Sequence, residues 1–338
     1  MATLDTLLDW IDLESITGNE GDYGDALVRQ LESIGFAAEK QFVEGGRFNV
    51  LARAGDPAVV FCTHLDTVPP WFGPSREGGV VRGRGACDAK GPALAMIEAA
   101  RRVVESGEER IGFLFTVGEE TDGAGARFAD EHRCAPWQPR FTIVGEPTEN
   151  EFIRGGKGVY KCELHARGVA GHSSQPVGPS AIHELVSAIG AMLSDSWGEH
   201  PVFGEGTINF GEIRGGLAAN VVAPEAVASV LVRAVEDPEI VEERLRSHLG
   251  ENVELISGKG YGPIAFHVPE GREGPVVAFG TDAPFLRGWG TPLLYGPGSI
   301  RDAHTDHELV TVASFERAVA DYEHAARELL DRIDAEGR

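Results

Sequence analysis

Five segments of this 338-residue sequence end in side chains that can hold a metal or move a proton. His64-Leu65-Asp66 closes an apolar run. An imidazole there can bind a metal while Asp66, two residues on, accepts the other ring N–H and fixes the tautomer. Asp88 sits in Gly83-Arg84-Gly85-Ala86-Cys87-Asp88-Ala89-Lys90-Gly91, a glycine-rich loop entering a helix. Glu119-Glu120 closes a second apolar run and Glu146, in Gly145-Glu146-Pro147-Thr148, a third. His304, in Ala303-His304-Thr305, follows the glycine-rich Tyr295-Gly296-Pro297-Gly298-Ser299. Each has an ordinary explanation taken singly: Asp88 is a favoured helix N-cap, adjacent glutamates make a solvated turn, and H-x-D is a weak motif. Jointly, carboxylate oxygens and imidazoles without a thiolate pair form the donor set of zinc, cobalt or manganese.

Such residues act together only if the fold brings them to one edge, and the pattern provides for that. Ala58 to Cys62 reads as a buried strand, Pro92 to Val104 as a helix, Ile111 to Val117 as a strand, Gly123 to His132 as a weaker helix and Phe141 to Val144 as a strand. This alternation predicts an α/β domain with a mostly parallel sheet, whose strand ends are where ligands bind. Around Gly155-Gly156-Lys157-Gly158 the texture changes. Val159 to His165 alternates, a helix runs from Ser180 to Leu193, Thr207 to Ile213 and Val221 to Val235 read as extended, and a helix from Pro238 to Leu249 precedes a strand at Val253 to Ile256. Buried-strand character returns at Val276 to Phe279 and Pro292 to Tyr295, and a long helix spans Val310 to Ile333. The expected organisation is a catalytic domain of residues 1–157 and 268–338, interrupted by an inserted α+β lid or dimerisation domain of residues 158–267. There is no internal repeat and no low-complexity segment.

The length favours two cores over one. The 53 acidic against 30 basic residues, a formal charge of −23, argue against nucleic acid and anionic membrane as partners. No apolar run approaches the roughly 20 residues that cross a bilayer. The N-terminus lacks a basic region followed by an apolar stretch, which predicts no secretory signal and a cytoplasmic location. Cys62, Cys87, Cys134 and Cys162 are dispersed, as expected of buried free thiols in a reducing compartment.

His64-Leu65-Asp66-Thr67-Val68, Gly83 to Gly91, Thr116 to Glu120, Glu146-Pro147-Thr148 and Ala303-His304-Thr305 resemble, in order and spacing, the motifs of the aminoacylase and carboxypeptidase G family of dinuclear zinc hydrolases. That family includes acetylornithine deacetylase and succinyl-diaminopimelate desuccinylase, and the resemblance covers nearly the whole chain. It implies two divalent ions, zinc first with cobalt or manganese as alternatives, bridged by Asp88. His64 and Glu146 would complete one ion's ligands, Glu120 and His304 the other's, with Glu119 left free as general base. His172, in Gly171-His172-Ser173, matches the position from which the inserted domain donates to the oxyanion; in relatives it can come from a partner subunit, which implies a homodimer through that domain. Asn220 and Arg233 match substrate-contacting positions, although Leu231 stands where relatives place an aspartate.

The resemblance further implies an N-acyl amino acid as the small-molecule substrate. Asp282, in Gly280-Thr281-Asp282-Ala283-Pro284, and Ser299, before Ile300, look most like acetylornithine deacetylase, with Asp282 facing a cationic side chain and serving arginine biosynthesis. Succinyl-diaminopimelate desuccinylase, a dipeptidase or a carboxypeptidase are the alternatives within the class. A catalytically silent metal-binding homologue is the alternative outside it, and the complete ligand set with its base argues against that one.

Overall fold

The computed structural model describes residues 4–337, which divide into two compact units. Of the described residues, the first takes in 4–154, Phe266–Pro275 and 281–337. Its six-stranded sheet runs in the order Ala37–Glu44, Arg47–Arg53, Ile111–Thr116, Val59–His64, Phe141–Val144 and Thr291–Leu294. The last four strands are mutually parallel, and the first two form an antiparallel hairpin at one edge. Gly45-Gly46 closes that hairpin with φ of 54° and 87°, a turn that glycine enters without steric cost. Val59–His64 and Ile111–Thr116 are buried at every position, because a parallel sheet is covered on both faces. Their apolar runs are therefore continuous.

Helices Gly21–Ser33, Lys90–Glu105 and Val312–Glu336 join one core in which Leu27, Leu31, Ala93, Leu94, Phe315 and Tyr322 surround Val50, Phe61, Phe113 and Ile143. Phe113 stacks on Phe115 with ring centroids 5.5 Å apart. Fully burying each such ring or leucine contributes about 1.5–3 kcal/mol. Ala124–Glu131 lies against the sheet where Asn49 Nδ2 donates to the carbonyl of Gly125. Lys90 is also buried: its Nζ donates to the carbonyls of Trp10 and Leu13 at the end of Leu4–Asp12, and burial lowers its pKa to about 7.

The second unit comprises Gly155–Ala265 and Val276–Gly280. Its antiparallel sheet has the order Thr207–Gly215, Glu225–Ala234, Gly158–Arg167 and Val253–Tyr261. Alternate residues of Glu225–Ala234 are buried, as in a sheet covered on one face. Helices Ala181–Leu193 and Pro238–Ser247 supply the cover through Leu185, Met192, Val241 and Leu245, packed with Leu164, Val230 and Val232. The predicted run from Val221 to Val235 is two strands. Val221–Val222 pairs with Gly171–His172, and Pro224, which has no N–H to donate, stands in the break before Glu225. Val276–Val277 does not return to the large sheet as its apolar character suggested. It pairs in parallel with Gly155–Gly156 and is only half-buried. Cys62, Cys87 and Cys162 are buried, whereas Cys134 is exposed.

Candidate metal centre

The four parallel strands deliver their C-terminal ends to one edge of the first unit. His64 is the last residue of its strand, Glu119-Glu120 follows Ile111–Thr116, Glu146 follows Phe141–Val144, and His304 lies in the loop after Thr291–Leu294. Asp88 arrives in the loop before Lys90–Glu105. Gly298, at φ 83°, lets the His304 loop come close: a Cβ there would stand 2.3 Å from that of Cys87.

Ligand atoms of His64, Asp88 and Glu120 lie within 4.8 Å of one another, and Glu119 is not among them. Asp88 stands between two imidazoles. Its Oδ1 is 2.9 Å from His64 Nε2 and its Oδ2 is 3.3 Å from His304 Nε2. His304 Nε2 is also 3.0 Å from the Glu120 carboxylate. Glu146 is buried at the neighbouring strand end, outside that close cluster. Burial raises its pKa well above the carboxylate range, opposed by His64 and reinforced by Glu119, Asp88 and Glu120. Burial also raises Glu119, again opposed by His64, with Asp282, Glu120 and Asp88 adding to the rise. His64 is raised as well: burial works against protonation, but its bonds to Asp66 and Asp88 outweigh it. His304 is pushed up to about 10 by Asp88 and Glu120. Crowded carboxylates and imidazoles drawn into proton-sharing pairs are groups that divalent cations would satisfy in place of protons. The donor set therefore fits divalent metal, and the two Asp88 oxygens face different imidazoles.

Asp66 holds this arrangement differently from the sequence expectation. The His64 Nδ1 lies 2.9 Å from the Asp66 backbone carbonyl and 3.6 Å from its carboxylate. The carboxylate instead accepts the N–H of Glu119 at 3.1 Å, the N–H of Glu120 at 3.2 Å and the Thr17 hydroxyl at 2.8 Å. Asp66 thus orients the turn that presents both glutamates. Thr17 gave no signal in the sequence, because only the fold brings it here.

Asp282 is 2% exposed. Its Oδ2 accepts from the Thr116 hydroxyl at 2.5 Å, its Oδ1 is buried without a partner, and it makes no side-chain cap on the short helix Ala283–Phe285. Burial lifts its pKa to about 6, against the Thr116 bond. Helix capping, the ordinary alternative for this residue, is therefore not what holds the carboxylate. Ser299 Oγ donates to Glu149, bracing the loop before His304.

In the second unit His172 is exposed on its short ribbon. Its Nδ1 accepts the Ser174 N–H at 3.3 Å, which leaves the proton of a neutral ring on Nε2, the form suited to donate. The Ser173 N–H donates to the carbonyl of Asn220 at 3.0 Å, so the two predicted positions lie at the same end of one short antiparallel ribbon. Arg233 lies on the sheet face away from the helices. There Lys161 is paired with Leu231 on one side and Lys259 on the other, forming a cationic patch in an acidic chain. Neither lysine stood out in the sequence, since only strand register brings them beside Arg233.

A model of Peptidase family M20/M25/M40 matches residues 60–245. A peptidase M20 domain-containing protein of Schizosaccharomyces pombe is 36% identical over 315 residues, covering 89% of this chain and 78% of its own. A probable carboxypeptidase of Talaromyces marneffei is 34% identical over 385 residues, covering 96% of this chain and 85% of its own. The crystal structure of the aminopeptidase PepT from Bacillus cereus superposes with a TM-score of 0.80 at 20% identity, over 97% of this chain and 98% of that one.

Proposed function

The chain belongs to peptidase family M20/M25/M40 and is a metal-dependent amidohydrolase, and from that premise we propose that it cleaves the amide bond of a small N-acyl amino acid or dipeptide with a free α-carboxylate. The observation that carries this reading is Asp88 set between His64 and His304, one carboxylate oxygen toward each. His64, Asp88 and Glu146 would hold one divalent ion and Asp88, Glu120 and His304 a second, zinc being the metal best suited to these donors. When bound, the ions supply an acidified water and polarise the scissile carbonyl. Glu119 takes the proton of the attacking water and passes it to the leaving nitrogen. Arg233, with its planar fork, grips the substrate α-carboxylate, supported by the positive charge of Lys161 and Lys259. Asn220, whose carbonyl accepts the Ser173 N–H, contacts the substrate from the side of His172. The buried free thiols support a reducing, cytoplasmic site of action.

N-Acetylornithine is the second reading, favoured by the Gly296 to His304 segment and by the buried, unpartnered Oδ1 of Asp282. A panel of N-acetylornithine, succinyl-diaminopimelate, N-acetylmethionine and dipeptides, assayed with zinc, cobalt and manganese, decides between them. We expect kcat/KM to collapse for every substrate whose α-carboxylate is amidated. Equal rates on amidated and free substrates would remove Arg233 from recognition. A preference for N-acetylornithine over all neutral competitors would select the second reading.

His172 donates to the oxyanion through Nε2, within a homodimer formed by the second unit. Ile182, Val186, Ile213 and Leu217, at 38%, 58%, 55% and 74% exposure, leave an apolar surface there beside the edge strand Thr207–Gly215. His172→Ala should lower kcat by about 10²–10³-fold at unchanged metal content. Mixing that variant with Glu119→Gln should restore turnover if the donor comes from the partner subunit. Parental kinetics in His172→Ala would reduce the residue to a loop histidine.

A further inference from the structure

Glu308 is completely buried, four residues beyond His304, and has no access to a substrate. Its Oε1 accepts three backbone N–H groups, those of Gly85, Cys87 and Asp88, at 3.0, 3.1 and 3.1 Å. Its Oε2 pairs with the buried Arg84 guanidinium at 2.7 Å. The Gly83 N–H donates to the backbone carbonyl of Glu308 at 3.2 Å, and Leu309–Thr311 continues as a strand paired with Val80–Arg82. One carboxylate therefore gathers the amides of the loop that carries Asp88 and joins it to the segment that carries His304. Neutralising Arg84 requires a charge, but it does not require three amides converging on the other oxygen. That convergence fixes the direction in which the Asp88 side chain leaves the backbone. Groups buried around a ligand set orient it and contribute to affinity by sparing the ordering that binding would otherwise demand.

We propose that Glu308 is a positioning residue that presets Asp88 and His304 for metal before any ion arrives. The inference rests on the dinuclear reading given above and assigns the affinity of that site in part to a residue that touches neither ion nor substrate. Charge-assisted bonds to backbone amides are the stronger kind, so Glu308→Gln weakens the cradle while keeping one acceptor oxygen. Measured by chelator competition on metal-stripped protein, Glu308→Gln should bind zinc about 10–100-fold more weakly. Turnover and KM at saturating zinc should stay close to the parent, a separation that general loss of structure would not give. Parental zinc affinity in the folded variant, or turnover that saturating zinc does not restore, would overturn the proposal. Hydrogen exchange in the metal-stripped parent decides independently of any variant. The amides of Gly85, Cys87 and Asp88 should already be protected, and fast exchange that slows only when zinc is added would show that the ion orders the loop. A parent that binds no divalent ion at all would instead sink the metal reading itself.

Discussion

Glu119→Gln should keep its metal and lose about 10²–10⁴-fold in turnover, the cost of removing a general base. The expectation follows from how the Gly118 to Glu120 turn is held. Asp66 accepts the backbone N–H of both glutamates, so the two side chains leave adjacent positions of a fixed backbone with different tasks. Glu120 meets His304 and belongs to the close ligand cluster, whereas Glu119 stands outside it and is half-buried. An amide at position 119 preserves volume and leaves every ligand in place, but it cannot accept a proton from water. Metal analysis beside kcat makes the check. A variant that turns over at nearly the parental rate, or one that has shed its ions, would show that Glu119 is not the base.

The strands of the first unit were legible where both faces are buried. Phe141 to Val144 was read with its observed bounds, and the runs near Val59 and Ile111 differed only at their ends. What escaped was the sheet edge. Ala37–Glu44 is exposed or half-exposed at every position, so its sequence carries neither a continuous apolar run nor a clean alternation. Gly21–Ser33 buries Tyr23, Leu27 and Leu31 at helical spacing, but the charged residues between them dilute the stripe. Val276–Val277 misled in the opposite direction: two adjacent valines look like a core strand, and only its pairing with Gly155–Gly156 shows otherwise.

The site was legible for a related reason. Side chains able to hold a metal, placed directly after apolar runs, mark themselves, because a parallel sheet puts all such positions at one edge. Residues that hold those side chains leave no such mark. Glu308 is 220 positions from the Asp88 amide it accepts, and Thr17 is 49 from Asp66. With Asp306, Glu308 belongs to the segment that resembles acetylornithine deacetylase, but nothing in that pattern tells that its carboxylate is buried under the Asp88 loop. Its burial against Arg84 depends on the Leu309–Thr311 strand finding Val80–Arg82, a pairing that no local pattern announces. Asp66 illustrates the intermediate case. Its spacing from His64 was informative, yet its carboxylate serves the glutamate turn more directly than the imidazole.

Asp88→Ala should lose both ions together with activity, and the argument comes from its two oxygens. Oδ1 faces His64 and Oδ2 faces His304, so no other side chain in the cluster is placed to serve both halves. On the proposed assignment, removing it would leave Glu146 with His64 and Glu120 with His304, each pair short of the three protein ligands that a catalytic zinc keeps. A ligand that binds the folded state alone raises stability by RT ln(1 + [L]/Kd), about 2.7 kcal/mol at a hundredfold excess over Kd. The parental thermal midpoint should therefore climb as zinc is added to metal-stripped protein, while that of Asp88→Ala stays flat over the same range. The readout requires no substrate, so it stands whichever amide the enzyme cleaves. A zinc-dependent rise of parental size in Asp88→Ala, or two ions retained through dialysis, would mean that Asp88 does not bridge them.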